Sequence, residues 1–334
     1  MPIGKAVHVR AFALVFSGAI ALAAQASTPQ PSKEKPASPS ARRADRPCTP
    51  QFRAEVDQVV VYAAVYDKNG ALVTDLGPND FQVFEDKTPQ DVTYFGLEDL
   101  QSTVGIVIDR SGSMKQKMDL VNEAIQLFLS LANPANELLL ITFNDRTELE
   151  EGFTYDSEDI RDALENVIAS GGTALYDAIF LALDEARKGS EPKKAVIVFT
   201  DGEDKDSYYK HEELLEKVQE SDVQVHVVAF LSAELSSDGG FFGVFKSEKE
   251  KITKGIADIA EYSGGKALFP EQIEGLKPAF ESIARELRSQ YRLGYISSNK
   301  AKDGAWRAVD VRVENAKERG FKVRAKKGYL SPKG

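Results

Sequence analysis

Three oxygen-bearing side chains stand on alternate positions in Asp109-Arg110-Ser111-Gly112-Ser113, directly after the apolar run Val104-Gly105-Ile106-Val107-Ile108. A carboxylate and two hydroxyls at that spacing can converge on one point, and the chemistry open to them is capture of a hard cation. Asp and Ser are also favoured helix N-caps, so the triplet alone reads equally well as a capped helix after a strand. Two further stretches change the balance. Ser170-Gly171-Gly172-Thr173 places a third hydroxyl in a glycine-shaped loop at the start of a helix, and Asp201 ends the apolar run Ala195 to Thr200 with Gly202 next. Asp109, Ser111, Ser113, Thr173 and Asp201 together supply two carboxylates and three hydroxyls. Such an all-oxygen set suits Mg2+, with Mn2+ or Ca2+ as alternatives, whereas a transition-metal site would draw on His or Cys. His211 and His226 are far apart in sequence, and His8 lies in the leader described below. Few carboxylates and several neutral hydroxyls leave a bound ion with one position free, which a carboxylate from a partner would fill.

These residues need a scaffold that brings three distant segments together. Residues 99–288 alternate strand and helix patterns, with strands at 104–109, 137–143, 194–200, 224–230 and 266–269. A shorter, more polar strand at 147–153 reads as an edge. Helices are expected near 118–131, 159–169, 174–188, 211–221, 252–262 and 276–289, with apolar residues such as Leu120, Ala124, Leu127, Phe128 and Leu131 at helical spacing. The class is therefore α/β, a doubly wound, mostly parallel sheet with helices on both faces. In such a sheet Asp109, Thr173 and Asp201 lie at one carboxyl edge, where ligands bind.

The flanks read differently. Residues 51–98 hold short β-rich stretches with a hairpin signal at Lys68-Asn69-Gly70 and a return strand at 71–74, and residues 289–334 hold three alternating strands. Neither flank can complete a core by itself, so the two are expected to pair into one small β-sandwich into which the α/β domain is inserted. Residues 1–26 carry Lys5 and Arg10, an apolar run and Ala24-Gln25-Ala26, the form of a cleavable signal peptide with cleavage after Ala26. The run is short of the roughly 20 residues a membrane-spanning helix needs. A secreted or periplasmic protein with no membrane span after cleavage is expected. Residues 27–50 are rich in Pro, Ser and charge and read as a disordered linker. This linker holds Cys48, the one cysteine, which excludes an internal disulfide. The net charge of −10, which becomes −12 once Lys5 and Arg10 are removed, argues against nucleic acid as a partner.

The segments Asp109 to Met114, Ser170 to Ala178 and Phe199 to Asp204 resemble the metal-ion-dependent adhesion site of von Willebrand factor type A domains, and the resemblance covers roughly 99–288. It implies that Ser111, Ser113 and Thr173 bind the ion through hydroxyls, with Asp109 and Asp201 acting directly or through water. The flanking segments are similar to those of bacterial "VWFA-related" proteins, best known from Acidobacteria. Beside the site, Phe241, Phe242, Tyr208 and Tyr209 are candidates for an aromatic anchor patch, the alternative for the phenylalanines being burial in the domain's own core. The expected function is adhesion-type capture of a protein partner through the ion, with a cell-envelope scaffold holding a structural metal as the alternative. A metal-assisted hydrolase is disfavoured, because no His stands near the serines and the run is not Gly-x-Ser-x-Gly. Asp145, Asp204 and Asp206 read as solvated loop acids outside the ligand set.

Overall fold

A computed structural model describes residues 58–334 except 98, 203 and 232–241, and the side chains of 242–248 also lie outside the described set. The signal-peptide, linker and Cys48 expectations all fall outside the described residues.

The chain opens with β1 (Gln58–Tyr66), β2 (Phe81–Glu85), β3 (Thr88–Gln90) and β4 (Val92–Gly96). It then enters the α/β region with β5 (Ser102–Asp109), α1 (Met118–Leu131), β6 (Glu137–Phe143), β7 (Thr147–Thr154), α2 (Ser157–Glu165) and α3 (Leu175–Lys188). This region continues through β8 (Lys193–Thr200), α4 (His211–Glu220), β9 (Gln224–Ala229), α5 (Phe242–Ser263), β10 (Ala267–Leu268) and α6 (Leu276–Arg288). The chain closes with β11 (Tyr291–Ile296), β12 (Trp306–Val313), α7 (Ala316–Arg319), β13 (Lys322–Ala325) and β14 (Gly328–Leu330).

A six-stranded sheet of order β10-β9-β8-β5-β6-β7 forms the centre, parallel except for β7, which runs antiparallel to β6 at the edge. β5 is buried along its whole length, as expected of a central strand covered on both faces. Val104, Ile106 and Ile108 face α1, α2 and α6, whereas Val107 faces the layer of α3, α4 and α5. Because the chain runs from β5 to β6 on one side and later to β8 on the other, the order reverses at β5, and a crevice opens at its carboxyl end.

The outer strands form two four-stranded sheets, β13-β1-β11-β4 and β14-β12-β2-β3, each mixing strands from both flanks. Their shared interior holds Val61, Ala63, Val65, Phe81, Val83, Tyr291, Leu293, Tyr295, Val309 and Val311. Buried Glu85 is satisfied there by hydroxyls of Tyr295 (2.9 Å), Tyr329 (2.8 Å) and Ser297 (2.5 Å). The return strand expected at 71–74 is reduced to a bridge between Tyr66 and Leu72, because β11 and β13 supply the ladders of β1. Helix α2 starts earlier than expected, at Ser157, since the Asp156 carboxylate accepts from the Glu158 amide at 2.9 Å and caps it there. Helix α5 starts ten residues before the expected 252, absorbing part of what reads as a glycine-aromatic loop.

A buried polar cluster joins the α/β domain to the sandwich. Glu286 of α6, with no exposed surface, pairs with Arg324 of β13 and accepts from the Tyr66 hydroxyl of β1. Its burial is opposed by the Arg324 guanidinium, and on balance the carboxyl sits below the usual range. His226 of β9 is fully buried nearby, and burial drives its pKa down to about 3, so the ring is neutral. Gly264, at φ +79, lets this end close: a Cβ there would lie 2.5 Å from the Lys326 amide nitrogen. Arg288 clasps the two connections of the domain, donating from Nε to Asp99 at 2.7 Å.

Two outcomes follow for stability. Arg324→Met leaves Glu286 buried without its cation and lowers unfolding free energy by about 3–5 kcal/mol, much of which the added Glu286→Met restores, as measured by urea denaturation at pH 7. For His226 the folded pKa is depressed, so between about 6.5 and about 3 the unfolded chain binds a proton that the folded chain does not. Stability therefore falls as the pH is lowered through that window, by about 1.4 kcal/mol per unit from this group. In His226→Leu the drop in urea midpoint from pH 7 to pH 4.5 is shallower than in the parent.

Candidate functional site

The crevice at the end of β5 is closed by three loops that fix one another through the backbone. The Gly112 amide donates to Gly171 O at 3.1 Å and the Ser170 amide to Arg110 O at 2.7 Å, locking the first loop to the second. Asn144, just after β6, supports the second loop: its Nδ2 donates to Ser170 O at 2.9 Å and its carbonyl accepts the Ala174 amide at 2.6 Å. The Thr173 carbonyl accepts the amides of Lys205 (2.9 Å) and Asp206 (3.1 Å), which ties in the loop after β8. Gly171 has φ +84, and a Cβ on it would come within 2.6 Å of an Asp145 carboxylate oxygen. Neither the conformation nor the space admits a side chain.

Within this frame four of the five expected residues form one hydrogen-bonded chain. Asp109, fully buried at the end of β5, accepts the Ser111 amide on Oδ1 (2.8 Å) and the Thr200 hydroxyl on Oδ2 (2.7 Å). The Ser111 and Ser113 hydroxyls lie 3.1 Å apart, and Ser113 Oγ donates to Asp201 Oδ1 at 2.9 Å. Thr173 is buried on the facing loop, its Oγ1 3.9 Å from where a Cβ on Gly202 would stand. Its hydroxyl makes no hydrogen bond among the described residues.

Burial raises the Asp109 pKa above the ordinary carboxylate value; hydrogen bonds from Ser111 and Thr200 pull it back, and the Asp201 charge pushes it up further. The place between these side chains is thus short of positive charge. No group of three or more His, Cys, Asp or Glu side chains able to hold an ion occurs among the described residues, so a cation placed here would have to draw on hydroxyl oxygens as well. Buried oxygens, two of them carboxylates, and an unpaired Thr173 hydroxyl fit a hard divalent cation.

One residue was not foreseen. Lys117, the N-cap of α1, pairs its ammonium with Asp201 Oδ2. Its spacing of four from Ser113 was the available signal, since one turn of incipient helix puts it under the same crevice.

Asp204 and Asp206 are not idle solvated acids. Asp206 Oδ2 accepts the Thr173 amide at 2.7 Å and Asp204 Oδ1 the Tyr176 amide at 3.1 Å, so both serve the otherwise unpaired amides that open α3. Asp177 returns the favour, accepting the amides of Tyr208 and Tyr209, each at 3.0 Å. The aromatic candidates separate. Tyr208 is 85% exposed, whereas Tyr209 stacks on Phe180 of α3, centroids 4.0 Å apart and 6° from parallel, and is fixed to the domain. Phe241 lies outside the described residues; Phe242 opens α5, its side chain outside the described set.

Comparison with known proteins matches residues 104–203 to the von Willebrand factor type A domain family. Calcium-activated chloride channel regulator 1 of Bos taurus is 26% identical over 226 residues, 63% of this chain and 22% of that protein. The uncharacterized protein sll0103 of Synechocystis is 31% identical over 102 residues, 29% of this chain and 24% of that protein. The chain thus spans about a quarter of the length of these curated relatives. Among solved structures, a von Willebrand factor type A protein from Catenulispora acidiphila overlays with a TM-score of 0.46 at 13% identity, over 85% of this chain and 74% of that one. BatB from Bacteroides thetaiotaomicron gives 0.43 at 19% identity, over 57% and 100%. The family match spans the loops of Asp109, Thr173 and Asp201, and within residues 104–203 the chain carries a von Willebrand factor type A domain.

Proposed function

We propose that this chain is an exported binding protein that captures a protein partner through a divalent cation, Mg2+ or in its place Mn2+ or Ca2+. The observation that carries the reading is the continuous run Asp109, Ser111, Ser113, Asp201 with the unpaired Thr173 hydroxyl opposite, at the switch point of the sheet. When bound, the ion supplies a Lewis-acidic position that a partner's carboxylate can occupy. The protein's own residues do the rest. Ser111, Ser113 and Thr173 offer neutral oxygens that leave the ion's charge incompletely cancelled. Asp109 is held in place by Thr200 and the Ser111 amide, and the interlocked loops keep the donors in place before the ion arrives. Tyr208, exposed at the rim, is an apolar contact for the same partner. Export rests on the leader at residues 1–26. No helix among the described residues is long and apolar enough to cross a membrane. Binding rather than catalysis is supported by the absence of a His beside Ser111 or Ser113 among the described residues: His211 pairs with Gly255 O and His226 is sealed in the polar cluster.

Isothermal titration of the purified protein with MgCl2 and MnCl2 is expected to show one site, lost in Asp109→Ala. Unchanged affinity in that variant would remove the assignment. Pull-down from a cell-envelope fraction should give a partner that EDTA releases; retention after chelation points instead to a scaffold whose ion only stiffens the loops. Asp206→Ala should cost about 1 kcal/mol in urea denaturation, as loss of a helix-cap acceptor does, and should weaken metal binding by loosening Thr173.

A further inference from the structure

We propose that Lys117 is a resident counter-ion of the metal site, and that a divalent cation binds by displacing its ammonium from Asp201. This inference rests on the metal-site reading above and says what the protein does before the ion arrives.

Three observations carry it. The Lys117 ammonium pairs with Asp201 Oδ2 while Ser113 Oγ holds Oδ1, so both oxygens of an expected ligand are already engaged. The pair is sheltered: the side chains are 16% exposed for Lys117 and 2% for Asp201. Water screens such a contact weakly, and removing one partner leaves an uncompensated buried charge. Finally, Asp109 is buried with hydrogen bonds but no cation of its own among the described residues, so of the Asp109 and Asp201 charges the Lys117 ammonium pairs with one.

The consequences are chemical. With Lys117 in place the metal-free loops stay folded, because Asp201 is not left buried alone. An incoming cation must outcompete a positive charge already on Asp201. A monovalent ion brings no more charge than the ammonium it displaces, whereas a divalent ion also compensates Asp109, so the exchange favours divalent ions. The displaced ammonium keeps a second resting place, the Phe230 ring, whose centroid lies 5.4 Å from Nζ. From there it remains beside the ion, as a second positive charge for an acidic partner.

The test titrates MnCl2 into the parent protein, Lys117→Met and Lys117→Arg, with melting temperatures recorded in EDTA and in excess Mn2+. Lys117→Met should bind Mn2+ about tenfold or more tightly, the scale of a hydrogen bond to a charged group, and should melt lower in EDTA, so its metal-induced rise in melting temperature is larger. Lys117→Arg, which keeps the charge, should stay near the parent in affinity. Should Lys117→Met not fold, Lys117→Gln takes its place. Binding by the parent with equal or weaker binding by the neutral variants overturns the inference alone, as does a gain in Lys117→Arg as large as in Lys117→Met. No binding by any of the proteins overturns this inference together with the metal-site reading.

Discussion

Two carboxylates finish neighbouring parallel strands of one sheet, Asp109 ending β5 and Asp201 following β8. Burial in a poorly polarizable interior makes the Asp109 carboxylate expensive to keep ionised, and the neighbouring Asp201 charge adds to that cost. Everything around them answers that constraint. Hydroxyls of Thr200, Ser111 and Ser113 spread the charge over a hydrogen-bonded run, Lys117 compensates part of it, and the three loops are tied by backbone bonds so that the donors stay close. Asp206 and Asp204 play a different part, spending their charge on amides at the start of α3. Acids near the crevice therefore divide into the buried pair Asp109 and Asp201 and those that hold the amides at the start of α3.

The second buried ionic group, around Glu286, sits at the opposite end of the sheet and follows other rules. There the charge is paired by Arg324 and a tyrosine hydroxyl, so the cluster serves as a joint between domain and sandwich. Its neutral His226 is a polar ring enclosed without a hydrogen-bond partner among the described residues, which makes the joint sensitive to acid.

Much of this was legible in the chain itself. The continuous apolar runs of β5, β6 and β8 and the helical spacing of α1 and α3 have only one economical arrangement, and the edge character of β7 shows in its polarity. The convergence of Asp109, Ser111, Ser113 and Asp201 follows from that arrangement. What stayed hidden depends on tertiary choice. Residues 71–74 have strand composition, yet β11 and β13 hold the ladders of β1. The three-residue β14 is too short to carry a periodic signal, and nothing in the sequence around Tyr209 marks Phe180 as the ring it stacks on. Lys117 carries only a faint signal, its spacing of four from Ser113, because a lysine at the start of a helix is ordinarily solvated, and it is the fold that sets its ammonium against Asp201.

The insertion of one domain into another has a consequence for how the molecule is used. Both connections, at residues 99–101 and 289–290, leave from the amino edge of the sheet, where Arg288 holds them together through Asp99. The site occupies the carboxyl edge. The sandwich thus acts as a pedestal: anything fastened to it holds the crevice at the far pole, clear of the support. Steric access to the crevice is then decided by the rim around Tyr208 rather than by the body that carries it.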